Sequence, residues 1–76
     1  MGKFPALSAR EVLRALQKAG FYIHHQTGSH IQLRHHIKAH LRVTIPFHKR
    51  FDLPAFVVGS IVKQIELTRE EFLALL

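Results

Sequence analysis

No cysteine occurs in the 76 residues, and acids are scarce: five Asp and Glu stand against eleven Lys and Arg. The first absence removes disulfides and thiolate zinc sites and fits a reducing cytoplasm. No segment approaches the ~20 apolar residues needed to span a bilayer, and the start, MGKFPALSAR, lacks the apolar run of a signal peptide. There is no Gly-rich phosphate loop, and no repeat, linker or low-complexity stretch. A chain this short makes one domain, residues 1–76, and buries only about 60% of its unfolded surface. That leaves little room for a deep cofactor cavity, and no cofactor is expected.

What is present is a globular composition, 47% hydrophobic, with a formal net charge of +6 and seven histidines. A balance so basic favours a polyanionic partner such as nucleic acid, an acidic membrane surface or an acidic protein; the competing explanation is plain solubility.

Ser8 followed by Glu11 is a capping box, and Leu7 can staple onto Val12 one turn inside. Ala9, Val12, Leu13 and Leu16 then recur at helical spacing, and Gly20 fits the C′ position, so a helix is predicted over about 9–19. Its other side carries Arg10, Arg14, Gln17 and Lys18. Three runs of period-two alternation follow, FYIHHQ, HIQLRH and HLRVTI, read as three short strands in an antiparallel meander. The first turn is read as TG; the second, near HIKAH, has no Gly or Asn to place it. Pro46 ends the pairing and FHKRFD is a loop. Asp52 is expected to cap a helix with Pro54 in its first turn and Val58, Ile61, Val62 and Ile65 as its buried stripe. A second capping box, Thr68 with Glu71, opens a last short helix, where Leu67 can staple to Phe72. The order is α-β-β-β-α-α, an α+β two-layer sandwich with the helices on one face of the sheet.

In this arrangement the open sheet face collects His30, Gln32, Arg34, His40, Arg42 and Thr44, with no acid among them. Cations there can neutralise phosphates, while the amide and hydroxyl bond to sugar or backbone oxygens; the plain alternative is a solvated face. The carboxylates, Glu11, Asp52, Glu66, Glu70 and Glu71, mostly serve caps and helix surfaces. No carboxylate pair lies in the strand region, so glycosidase chemistry and two-metal phosphoryl transfer lack obvious ligands. The pairs His24–His25 and His35–His36 invite a metal, but neighbours on a strand point to opposite faces and do not readily chelate, and no metal site is expected. Metal-free RNA cleavage survives: it needs a base for the 2′-hydroxyl, an acid for the leaving oxygen and cations for the phosphorane. Histidine titrates near neutrality and suits the first two roles. His30, beside a Gly-Ser turn, is the candidate; otherwise it is merely exposed, and Gly28 and Ser29 serve only the turn.

Gly28-Ser29-His30 at the start of the second strand, VTIPFH at 43–48, and a helix ending SIVKQI before LTREEFLALL together resemble the HicA family of toxin mRNA interferases, including its YcfA-like members. The likeness runs from about Ser8 to Leu76. It implies an α-β-β-β-α fold like the double-stranded-RNA-binding domain. It also implies the toxin half of a type II toxin–antitoxin system that cuts mRNA and is neutralised by a HicB-type antitoxin. The family's catalytic histidine carries over to His30, Gly28 and Ser29 match the turn that orients it, and Pro46 and His48 match a Pro-x-His after the third strand. The chain departs from the pattern at HHQT, where members often carry a basic residue. It departs again at FVVG, 56–59, where a Gly-Thr-Leu-Arg-like run is common. The expectation is therefore a metal-independent endoribonuclease. His30 is its acid or base, and His48 or His24 a second proton-transfer group. RNA is held by Arg34, Arg42, Gln32 and Thr44 on the sheet and by Arg10, Arg14 and Lys18 on the first helix. The alternatives are a non-catalytic RNA-binding module or degenerate toxin on the same surface, and an interaction domain docking an acidic protein.

Overall fold

The computed structural model describes residues 3–48 and 51–76. Along the chain lie α1 (Ala9–Lys18), β1 (Phe21–Thr27), β2 (His30–His35), β3 (Arg42–Pro46), α2 (Ala55–Gln64) and α3 (Arg69–Leu73). The strands form one antiparallel sheet in the order β1-β2-β3. Helices cover one face of it, so the α+β two-layer arrangement predicted from periodicity is the one found. Among the described residues no helix is long and apolar enough to cross a membrane.

Both capping boxes form as expected. The Glu11 N–H donates to Ser8 Oγ at 3.1 Å and the Ser8 N–H to Glu11 Oε1 at 3.0 Å; Thr68 and Glu71 repeat this at 3.0 and 2.8 Å. Each helix start is thereby freed of two orphan donors. The core gathers Val12 and Leu16 from α1, Ile31 and Leu33 from β2, Val43 and Ile45 from β3, Val58, Ile61 and Val62 from α2, and Phe72 from α3. Full burial of each such side chain contributes about 1.5–3 kcal/mol. A two-residue bridge between Leu7 and Leu53, with N···O distances of 3.2 and 2.6 Å, ties the approach to α1 to the approach to α2.

Three details differ from the sequence reading. Asp52 does not cap α2: the N-cap is Pro54, with no side-chain cap. The third strand begins at Arg42, so His40 belongs to the preceding turn and leaves the sheet face. The first turn is Gly28-Ser29 rather than TG, since Thr27 and His30 are already paired. The loop expected over 47–52 includes Lys49 and Arg50, which lie outside the described residues.

The turn that had no Gly or Asn is organised by a histidine. His35 Nε2 lies 3.0 Å from the Ala19 carbonyl, which can only accept, so Nε2 carries the hydrogen. Nδ1 then accepts the N–H groups of Ile37 and Lys38 at 3.1 and 2.9 Å, and the ring packs edge-on against Phe21 at 4.9 Å. One side chain thus joins the C-cap of α1 to the β2–β3 turn. His36 points the other way and lies against Tyr22, centroids 4.6 Å apart. The same turn is held at its far end by Glu66, whose carboxylate accepts from His40 Nε2 at 2.9 Å and Lys38 Nζ at 3.3 Å. Glu66 follows the α2 C-cap with φ 60°, where glycine is usual. The two cross-links explain why a longer side chain stands there.

Gly20, at φ 101°, is the residue this junction cannot exchange: a Cβ would lie 2.8 Å from His35 Nε2. Gly20→Ala should destabilise by at least about 1 kcal/mol, because strain and displacement of the imidazole add. In a domain of this size that lowers Tm by about 4–8 °C. A thermal melt indistinguishable from wild type would show that His35 does not hold the junction. The Glu66 carboxyl is held below its ordinary value by the hydrogen bond from His40 first and that from Lys38 second. A carboxyl lowered on folding adds stability above its unfolded pKa, and this is lost as pH falls through the folded one. Glu66→Gln should therefore melt below wild type at pH 7, and the two curves should converge in acid. A gap that persists below the carboxylate range would assign the effect to the left-handed backbone instead.

Candidate functional site

The hairpin between β1 and β2 sets the site. Gly28 has φ 52° and Ser29 is not left-handed, the sign pattern of a II′ turn, whose twist matches the flanking strands. Thr27 pairs with His30, and His30 in turn with Pro46 on β3. The Phe47 N–H donates to the Ser29 carbonyl, pinning the end of β3 beside the turn. His30 is therefore fixed at the backbone while its side chain stays exposed.

Residues directly paired across strands share a face. With Ile31, Leu33, Val43 and Ile45 buried, the alternate positions make the open face. It consists of three rows running from β1 to β3: Tyr22, Arg34 and Arg42; His25, Gln32 and Thr44; Thr27, His30 and Pro46. The expected Gln32, Arg34, Arg42 and Thr44 are brought together and line a shallow groove of about 200 Å³. His24 is not on this grid. The register shifts between Ile23 and His25, leaving His24 as the extra, unpaired residue of a β-bulge, and it is His25 that stands opposite Gln32. The alternation read from FYIHHQ gave the outward ladder position to His24, and in the structure His25 holds it. A signal was available. A two-residue turn at 28–29 pairs Thr27 with His30, and counting back by twos would expose Phe21; only an inserted residue returns Phe21 to the core.

The other candidates fall elsewhere. His48 lines a small hollow with Ser8, Ala9, Arg10 and Phe47, at the start of α1. Arg14 and Lys18 line another with Glu11, Leu75 and Leu76, and Lys18 Nζ donates to the Leu75 carbonyl at 3.0 Å. Both lie in the helical layer, so the structure does not bring them to Arg34 and Arg42. A wider concavity, about 500 Å³, also belongs to that layer; Phe4, Phe56, Lys63, Leu67 and Arg69 line it, with no histidine or acid.

Within the described residues, no side chain of His25, His30, Gln32, Arg34, Arg42 or Thr44 makes a hydrogen bond or ion pair. Two unpaired guanidinium groups directly across a ladder are held against their mutual repulsion, with the face left open to an anion. Over residues 9–67 the chain matches the family described as the HicA toxin of bacterial toxin–antitoxin. The chain belongs to the HicA toxin family. A HicA toxin acts within a toxin–antitoxin system, which implies an antitoxin as partner. The match takes in the hairpin, all three strands and α2, so the histidine turn and the basic rows belong to the shared region. No curated protein matches the chain.

If Arg34 and Arg42 repel across the ladder, Arg42→Gln should raise stability at low salt by up to about 1 kcal/mol, a few degrees in Tm. At 1 M salt, with a screening length of about 3 Å, the gain should disappear. A melt lowered at low salt would mean that Arg42 has a stabilising partner in the fold.

Proposed function

We propose that this HicA toxin is a metal-independent mRNA interferase whose open sheet face binds RNA and whose His30 transfers a proton in cleavage. The observation that carries this is the placement of an unpartnered, exposed imidazole on the same face as Arg34 and Arg42, with no carboxylate among the nine face positions. Phosphate groups fit a face of this sign, and Gln32 and Thr44 offer hydrogen bonds to ribose or phosphate oxygens. Arg14 and Lys18 serve RNA only where a long strand wraps the helical layer. The chemistry requires the 2′-oxygen to attack phosphorus as its proton leaves, and the 5′-oxygen to depart as it gains one; imidazole serves either transfer near neutrality. A HicB-type antitoxin would silence the protein most simply by covering this face, since His30 and the arginines are reached from one side.

His30→Ala separates catalysis from folding and binding. The side chain is exposed and makes no side-chain hydrogen bond, so its loss should lower stability by less than about 1 kcal/mol. Loss of a positioned acid or base should instead lower the cleavage rate by about 10²–10⁴-fold. The variant should melt and bind RNA like wild type, both measured in chelator, and fail to cut it. Cleavage at the wild-type rate would remove His30 from the mechanism. Binding without cleavage by the wild-type protein would favour a non-catalytic module.

A further inference from the structure

A single histidine on the face would have to serve two proton transfers on opposite sides of one phosphate. The bulge at His24 supplies another. His25 is paired with Gln32, and His30 lies two residues from Gln32 on the same face, so the two histidines are diagonal neighbours across the hairpin. Such neighbours have Cα atoms about 7–8 Å apart, and their Cβ atoms are somewhat closer, within reach of aromatic side chains. Both rings are exposed, and among the described residues neither makes a side-chain hydrogen bond, so neither is committed to holding the fold. Between them the ladder leaves only Thr27 and Gln32.

We propose that His25 is the second proton-transfer group, with His25 and His30 flanking the scissile phosphate; this rests on the ribonuclease reading above. One ring, neutral, takes the 2′-hydroxyl proton as O2′ bonds to phosphorus. The P–O5′ bond breaks as the other ring, protonated, gives its proton to O5′. The products are a 2′,3′-cyclic phosphate and a 5′-hydroxyl, and the rings return to their starting states through solvent. The groups beside the two histidines are Gln32 and Thr44 in the row of His25 and Thr27 and Pro46 in the row of His30, with Tyr22, Arg34 and Arg42 in the next row; among the described residues of this face none is acidic. The two guanidinium groups, Arg34 and Arg42, attract the phosphate that the pair must serve.

The test compares wild type, His25→Gln and His30→Gln in chelator, on ordinary RNA and on RNA with sulfur in place of the bridging 5′-oxygen at the cleaved linkage. A thiolate departs without a proton, so loss of the acid is rescued on the sulfur substrate and loss of the base is not. Both variants should lose about 10²–10⁴-fold on ordinary RNA with binding retained. One of the two should recover on the sulfur substrate, and the bell-shaped pH–rate profile should lose one limb in each. If His25→Gln keeps the wild-type rate and both limbs while His30→Gln is inactive, the pairing is overturned and the ribonuclease reading stands. Loss of activity in His24→Gln rather than His25→Gln would overturn the register argument. A wild-type protein that cuts neither substrate would overturn the ribonuclease reading and this inference with it.

Discussion

The register of β1 against β2 is the constraint on which the exposed face depends. At one end the II′ turn fixes Thr27 opposite His30; at the other Phe21 must stand opposite His35, on the buried face. These demands have opposite parity. A strand's side chains alternate with a period of two, so a continuous ladder that satisfied the turn would expel Phe21 into solvent. One extra residue between Ile23 and His25 reconciles them. The price of that solution is a locally unpaired His24, and its consequence is that His25 and Thr27 take the ladder positions opposite Gln32 and His30 on the open face.

Much of this was legible in the residues. Capping boxes at Ser8 and Thr68, Gly20 as the helix stop and the alternating runs gave the element order and the two-layer class, because each is a local signal tied to backbone geometry. His30, Gln32, Arg34, Arg42 and Thr44 were placed on one face for the same reason. Local signals are silent where a distant partner decides. Asp52 has the chemistry of a cap, yet the chain enters α2 through Pro54 after the bridge to Leu7 has fixed its path. His40 continued the alternation of HLRVTI, but Glu66, 26 residues further on, holds it in the turn. His24 needed the turn, the strand and the core to be considered together.

The histidines therefore divide by what holds them. His35 has both nitrogens engaged and packs on Phe21; His40 is bonded to Glu66. Both organise the β2–β3 turn, the work a glycine or asparagine would otherwise do there. His25 and His30 lie at the opposite end of the sheet, beside a turn that Gly28 closes without side-chain help. Their rings are left to solvent.

That division also follows from the thinness of the domain. A chain of 76 residues has one sheet and one helical layer, so only one face of the sheet is packed. The cross-links that hold it, the Leu7–Leu53 bridge, the His35 junction and the Glu66 pair, lie in or beside the helical layer or at the far turn. None passes through the open face. A face without structural duties can carry one sign of charge, with two arginines directly opposed, at a cost of about 1 kcal/mol or less. The fold can bear that repulsion because its stability is generated on the other side of the sheet. A polyanion bound there would convert the same repulsion into attraction at both guanidinium groups.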